Sequence, residues 1–125
     1  MSKPASPRKV GDKEALAVGT TIRGSARKLN LVATMIRGRK VEEAMSILKF
    51  SPKAMAEDVS KVLASAVANA ENNHNLDVDA LIVAEASVGK SISMKRFMTR
   101  ARGRSSRIVK PFSRLRVVVR EQEEA

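Results

Sequence analysis

Two kinds of periodicity and one run of charge predict an α+β fold for this chain. Strand-spaced alternation opens the chain, three segments with helical spacing follow, and two strand-like runs close it. Between those last two strands lies a long arginine-rich stretch without a single acidic residue. Such a stretch reads as an extended, protruding β-hairpin.

The first strand covers residues 15–23, where Leu16, Val18, Thr20 and Ile22 alternate with Ala17, Gly19, Thr21 and Arg23. Gly24-Ser25 interrupts it, and Ser25 suits the N-cap of a helix over residues 26–37. Leu29, Val32, Ala33 and Ile36 give that helix its apolar face, and Gly38 suits the position past its end. A second, short helix over residues 41–50 presents Val41, Ala44, Ile47 and Leu48. Ser51-Pro52 then reads as a cap followed by a first-turn proline, starting a third helix at Lys53 that runs to about Asn72. Met55, Val59, Val62, Leu63, Ala66, Val67 and Ala70 form its stripe, with Glu57 and Lys61 outside it at a spacing of four. The polar string Glu71-Asn72-Asn73-His74-Asn75 marks its end.

A second strand is expected over residues 80–89, around Leu81-Ile82-Val83-Ala84. The last covers residues 108–121, with Leu115, Val117 and Val119 on one face and Arg114, Arg116 and Arg120 on the other. Residues 90–107 are too many for a structureless loop within a compact domain unless they serve a function. Continuing both strands outward gives a two-stranded arm with its tip near Met98 to Arg100. About 10 residues per strand would reach about 30 Å from the body.

The 125 residues suit one domain. Residues 1–14 read as a flexible tail, and residues 15–125 as a single domain that includes the hairpin at about 90–107. Glu121-Gln122-Glu123-Glu124-Ala125 forms a short acidic end. Three Phe are the only aromatics, so the core must be aliphatic, and the absence of Cys rules out disulfides and thiolate metal sites. The first ten residues lack the apolar run of a signal peptide, and no stretch is long and apolar enough to span a bilayer.

Net charge is +11, and its location matters more than its size. Eleven of the 24 basic residues lie between Lys90 and Arg120, leaving thirteen basic residues against thirteen acidic ones elsewhere. The whole excess therefore belongs to one element, as expected of a surface for a polyanion. Its members are Lys90, Lys95, Arg96, Arg100, Arg102, Arg104, Arg107, Lys110, Arg114, Arg116 and Arg120. Arginine forks donate to phosphate in pairs and stack on exposed bases, so spaced arginines on an extended chain can track a nucleic-acid backbone. A solvated, disordered charge run is the plain alternative. A second cluster without intervening acid comprises Arg23, Arg27, Lys28, Arg37, Arg39 and Lys40. Two of these, Arg27 and Lys28, stand at a helix start, where free N–H groups favour phosphate. Ordinary surface charge would look the same. Met94, Phe97 and Met98 are apolar near the tip of a basic element. Either they wedge between RNA bases or line a surface that must not grip passing chains, or they pack on one another across the hairpin.

Other chemistry finds little support. Gly89-Lys90-Ser91 resembles the end of a phosphate-binding loop, but the required first glycine falls at Ala84. His74 has no second His or Cys with which to build a metal site or triad. Asp77, Asp79 and Glu85 show no catalytic pairing, so only basic charge and scattered carboxylates suggest an RNA-processing enzyme. An architectural DNA-bending protein also carries a basic two-stranded arm on a helical body, but such arms favour an intercalating proline at the tip. Here Met98 and Thr99 hold that place, and Pro111 lies well down the returning strand.

Three blocks in order carry a more specific signal. They are Ser25-Ala26-Arg27-Lys28, then Ser65-Ala66-Val67-Ala68-Asn69-Ala70-Glu71-Asn72-Asn73, then Ser93-Met94-Lys95-Arg96-Phe97 through Arg100-Ala101-Arg102-Gly103-Arg104. With the basic strand closing on Val117-Val118-Val119, the chain resembles the bacterial large-subunit ribosomal protein twenty-two family over about residues 15–121. Many relatives carry prolines where this chain has Ile92 and Thr99.

The resemblance implies three helices packed on a small three-stranded antiparallel sheet, and no catalysis or cofactor. It implies a structural constituent of the large ribosomal subunit in the cytoplasm that supports subunit assembly. Its partners would be large-subunit ribosomal RNA and neighbouring ribosomal proteins. The expected RNA-binding set is Arg23, Arg27, Lys28, Arg37, Lys90, Lys95, Arg96, Arg100, Arg102, Arg104, Arg107, Lys110, Arg114 and Arg116. The resemblance further implies that Met94, Lys95, Arg96, Phe97, Met98, Thr99 and Arg100 line the nascent-peptide exit tunnel, near the nascent chain and the region where macrolides bind.

Overall fold

A computed structural model describes residues 13–122. Three helices cover one face of a three-stranded antiparallel sheet, and two of its strands run on as a long hairpin. The elements are β1 (Glu14–Arg23), α1 (Ala26–Ile36), α2 (Val41–Phe50), α3 (Ala56–His74), β2 (Leu81–Thr99) and β3 (Ser105–Glu121). A short 3₁₀ turn, Val78–Ala80, precedes β2. Among the described residues, no helix is long and apolar enough to cross a membrane.

The sheet order is β1-β3-β2, so the last strand lies in the centre and is antiparallel to both neighbours. Alternation along β3 sends Leu115, Val117 and Val119, all fully buried, into the helical layer. There they join Ala15 and Ile22 of β1, Leu81, Val83 and Ala86 of β2, and the apolar stripes of the helices. The opposite face carries Arg114, Arg116 and Arg120 as expected, but it is not wholly basic. Val118 lies among them, 3% exposed, between Leu16 of β1 and Glu85 of β2. A central strand shields even its open-face residues with both neighbours.

The expected faces of the helices hold except at Ile47 of α2, which is half-covered and lies outside the core. Leu29, Val32, Ala33 and Ile36 of α1 are buried, and Ser25 caps the helix by accepting the Lys28 N–H at 3.3 Å. The α2 helix has the expected bounds, with Val41, Ala44 and Leu48 buried. The start of α3 differs. Ser51 is extended and closes α2 by donating its N–H to the Leu48 carbonyl, while its side chain accepts from the Lys53 N–H. The chain needs one further turn, closed from Ala56 N to the Lys53 carbonyl, before α3 begins. A sequence fit for a helix start therefore serves the end of the preceding helix. At the other end α3 runs past Asn72 to His74 and stops at left-handed Asn75.

Along β1 the alternation slips at a bulge between Gly19 and Ile22, so Ala15 and Ile22 are buried while Leu16 and Val18 are only half-covered. Gly19 weakens the strand signal for a packing reason: a Cβ there would lie 2.8 Å from a Val62 methyl of α3. Glu14 opens β1, one residue before the expected start of the strand, and the Lys13 carbonyl accepts the Glu121 N–H. The remaining tail, residues 1–12, and the acidic end 123–125 lie outside the described residues.

Candidate nucleic-acid interface

The arm grows from the body at a defined irregularity. Lys90 pairs with Ser113 and Ser93 with Pro111, so Ser91 and Ile92 together oppose Phe112. Pro111 has no N–H for the ladder, and a two-against-one bulge is how an antiparallel pair accommodates such a break and turns. Beyond it only two strands remain, Ser93–Thr99 paired with Ser105–Pro111. That is seven residues a strand, or about 23 Å before the turn.

The turn lies further out than the sequence suggests. Arg100 and Arg104 close it, with the Arg100 N–H donated to the Arg104 carbonyl, and the chain reverses through Arg102 (φ 61°) and Gly103 (φ 73°). Met98 and Thr99 thus end the outgoing strand, and Arg100 opens the turn. Gly103 tolerates the left-handed backbone freely, and no propensity singles out Arg102 for it. Arg100 Nε also donates to Ser106 Oγ at 3.0 Å.

Register assigns the faces of the arm. Met94, Arg96 and Met98 share one with Ile108 and Lys110, whereas Lys95 and Phe97 share the other with Arg107 and Val109. Phe97 therefore cannot pack on either methionine, and it is 79% exposed. Met94 and Met98 flank Ile108 from across the ladder and remain 43% and 44% exposed. Neither face is covered by another layer, so each is a mosaic of cations and apolar side chains open to solvent.

The base of the arm joins the two basic clusters that the sequence keeps apart. Arg23 pairs with Phe112, the Gly24 N–H donates to the Pro111 carbonyl at 3.0 Å, and the buried Ser113 hydroxyl donates to the Gly24 carbonyl at 2.8 Å. These bonds hold the start of α1, with exposed Arg27 and Lys28, beside Lys110 and Arg114. Cations in a first helical turn oppose the helix dipole, and α1 has no acidic residue there to offset them. That local conflict is what an anion at the helix start would relieve.

Other expected residues separate. Lys90, Lys95, Arg96, Arg100, Arg102, Arg104, Arg107, Lys110 and Arg114 are exposed along the arm and its base, and Arg116 is half-buried on the open sheet face. Arg116 and Arg114 stand opposite Ser87 and Gly89 and line a shallow cleft with them. Arg37 is turned toward the protein. Its Nε donates to the Ala86 carbonyl at 2.7 Å, and its terminal nitrogens donate to Asn30 and Thr34. Arg39 likewise donates to the Met35 carbonyl and pairs with Glu43 at 2.8 Å. These two arginines tie α1 and α2 together and serve the edge of β2, where Gly38 and Arg39 also exchange backbone bonds with Val83.

The cluster reading missed Lys49, Phe50 and Lys53 at the α2–α3 turn. Phe50 is 80% exposed, with Lys49 Nζ 5.7 Å from its ring centroid. The available signal was an aromatic residue between two lysines, off the apolar stripe of its helix.

Comparison with known proteins adds an independent observation: the model for ribosomal protein L22p/L17e matches residues 17–120. The chain belongs to the L22p/L17e family. The large ribosomal subunit protein uL22 of Zymomonas mobilis is 78% identical over 125 residues, covering 100% of this chain and 99% of that one. Its counterpart from Novosphingobium aromaticivorans is also 78% identical, over all of both chains. The uL22 protein of Mesorhizobium japonicum is 64% identical over 124 residues, 99% of this chain and 96% of its own. The part matched to the L22p/L17e family includes α1, the whole arm and the strands that anchor it.

Proposed function

We propose that the chain is a structural, non-catalytic constituent of the large ribosomal subunit, located on the cytoplasmic ribosome, with ribosomal RNA and neighbouring ribosomal proteins as partners. The observation that carries this reading is an acid-free basic arm continuous at its base with the start of α1, in a chain of the L22p/L17e family. An arm with no core of its own and seven like charges beyond its bulge gains order by lying between RNA segments, where phosphates replace mutual repulsion with paired contacts. Arg23, Arg27, Lys28, Lys90, Lys95, Arg96, Arg100, Arg102, Arg104, Arg107, Lys110, Arg114 and Arg116 supply the cations. Arg37 contributes by holding α1 against β2.

The outer arm, Met94 to Arg100 with the turn beyond it, serves as the tunnel-lining segment beside the nascent chain and the macrolide region. Its mosaic of exposed Met, Phe and Arg supports this role: apolar side chains can lie against bases or a passing peptide while the arginines hold phosphate. The turn contains no proline to intercalate, which sets the arm apart from those of DNA-bending proteins.

Titrating protein-free large-subunit ribosomal RNA across a series of salt concentrations tests the proposal. Each neutralised phosphate contributes a log–log slope of roughly −0.7 to −0.9, so about six contacts give about −4 or steeper. A nearly flat dependence, or preferential retention by duplex DNA in competition, would overturn it.

A further inference from the structure

The geometry points to a second RNA site on the body, at the turn between α2 and α3, where an unpaired base stacks on Phe50 and Lys49 and Lys53 hold the flanking phosphates. The inference rests on the RNA-binding reading but uses none of the residues assigned to it. Phe50 is one of three aromatic residues in the chain, and at 80% exposure it is as bare as Phe97 on the arm. A phenylalanine on a folded surface that contributes nothing to the core, with only Lys49 Nζ approaching its ring at 5.7 Å from the centroid, keeps ring surface open for base stacking.

Three hydrogen bonds close the turn that presents it. Ser51 N donates to Leu48, the Ser51 side chain accepts from Lys53 N, and Ala56 N donates to Lys53. Lys49 and Ser51, on either side of Phe50, both line a cleft of about 560 Å³ between α2 and α3, and Lys53 lies on its wall. Its floor is apolar, from Met45, Leu48 and Ala56, with hydroxyls at Ser46, Ser51 and Ser60. Phe50 stands beside this cleft and does not line it, so the cleft's two lysines and three hydroxyls suit the sugar–phosphate that flanks a base stacked on Phe50. Glu57 is the one acid on that rim, and it lies 3.9 Å from Lys61.

Position supports RNA as the occupant. Met55, two residues beyond Lys53, is in contact range of Gly24, whose absent Cβ would lie 1.8 Å from the Met55 methyl. Gly24 is bonded to Pro111 and Ser113 at the base of the arm. The turn therefore adjoins the end of the body where Arg23, Arg27 and Lys28 stand, and extends that basic surface around the helical layer.

The test measures binding of the full chain to protein-free large-subunit ribosomal RNA for the wild type, Phe50→Ala, Phe50→Leu, Phe50→Tyr and the Lys49→Ala/Lys53→Ala double variant. Loss of one stacked base predicts binding about 5- to 150-fold weaker for Phe50→Ala and Phe50→Leu, with an unchanged salt slope, and near-wild-type binding for Phe50→Tyr. The double lysine variant should lose about 1.5 from the magnitude of the log–log salt slope. Thermal unfolding of each variant should match the wild type, because the altered side chains are exposed. Wild-type affinity in Phe50→Ala or Phe50→Leu would overturn the site and leave the RNA-binding reading standing. Salt-insensitive binding by the wild type would instead remove that reading, and this site with it.

Discussion

Single side chains at the junction of β1, α1 and β3 hold the arm to the body. Gly24 sits at φ 136°, a conformation that side chains with a Cβ rarely adopt, directly under Met55. The Met55 methyl can swing away from an added Cβ, but the backbone angle cannot relax without breaking the bonds to Pro111 and Ser113. Gly24→Ala should therefore cost about 1–3 kcal/mol in urea unfolding. Ser113 is fully buried, and its hydroxyl satisfies the Gly24 carbonyl. Ser113→Ala leaves that carbonyl without its partner and should cost about 1–3 kcal/mol by the same measurement, even though the substitution is small and apolar. Arg37→Ala provides a contrast. It should lower stability by about 1 kcal/mol, through the lost bond to Ala86, while the salt slope of RNA binding stays at the wild-type value. A slope reduced by a full contact would return Arg37 to the RNA-binding set.

The arm and the body differ in what stabilises them. The outermost residues of β2 and β3 in or against the core are Val88 and Leu115, which pair with each other inside the bulge at Ser91 and Ile92. No residue of 94–109 belongs to the core or packs against it. Replacing residues 94–109 with a two-residue turn should leave the melting temperature within a few degrees of wild type while sharply weakening RNA binding. In hydrogen exchange on the free protein, amides of the outer arm should exchange quickly, while those at Val83, Val117 and Val119 stay protected. A large fall in melting temperature on excision would show that the arm supports the body.

At the scale of the whole molecule, the sequence revealed most where burial is periodic. Leu29, Val32, Ala33 and Ile36 identify the inner face of α1 because a helix must repeat its core contacts every three to four residues. The charge census located the arm for a similar reason, since like charges concentrate only where something opposes them. Features set by partners distant in the chain were hidden. Ser51-Pro52 has the chemistry of a helix start, but the end of α2 claims Ser51 first. Val118 alternates onto a basic face and is buried because β1 and β2 flank it. The reversal at Arg102 depends on closure of the whole ladder. Arg37 looked like its cluster neighbours because nothing local shows that the Ala86 carbonyl, 49 residues away, would take its Nε. Phe50 ends α2, and its exposure follows from the assembly of the helical layer, which leaves it uncovered.

The bulge at Ser91 and Ile92 gives the molecule the mechanics of a lever. It is the fulcrum, the body is the short arm, and the hairpin is the long one, about 23 Å before its turn. A pivot of about 10° there sweeps the turn through about 4 Å, roughly the spacing of neighbouring strands. The position of Arg102 in space is thus an amplified copy of the angle set by Pro111, Gly24 and Ser113. Slight repacking deep in the body would displace the far end without touching any residue there.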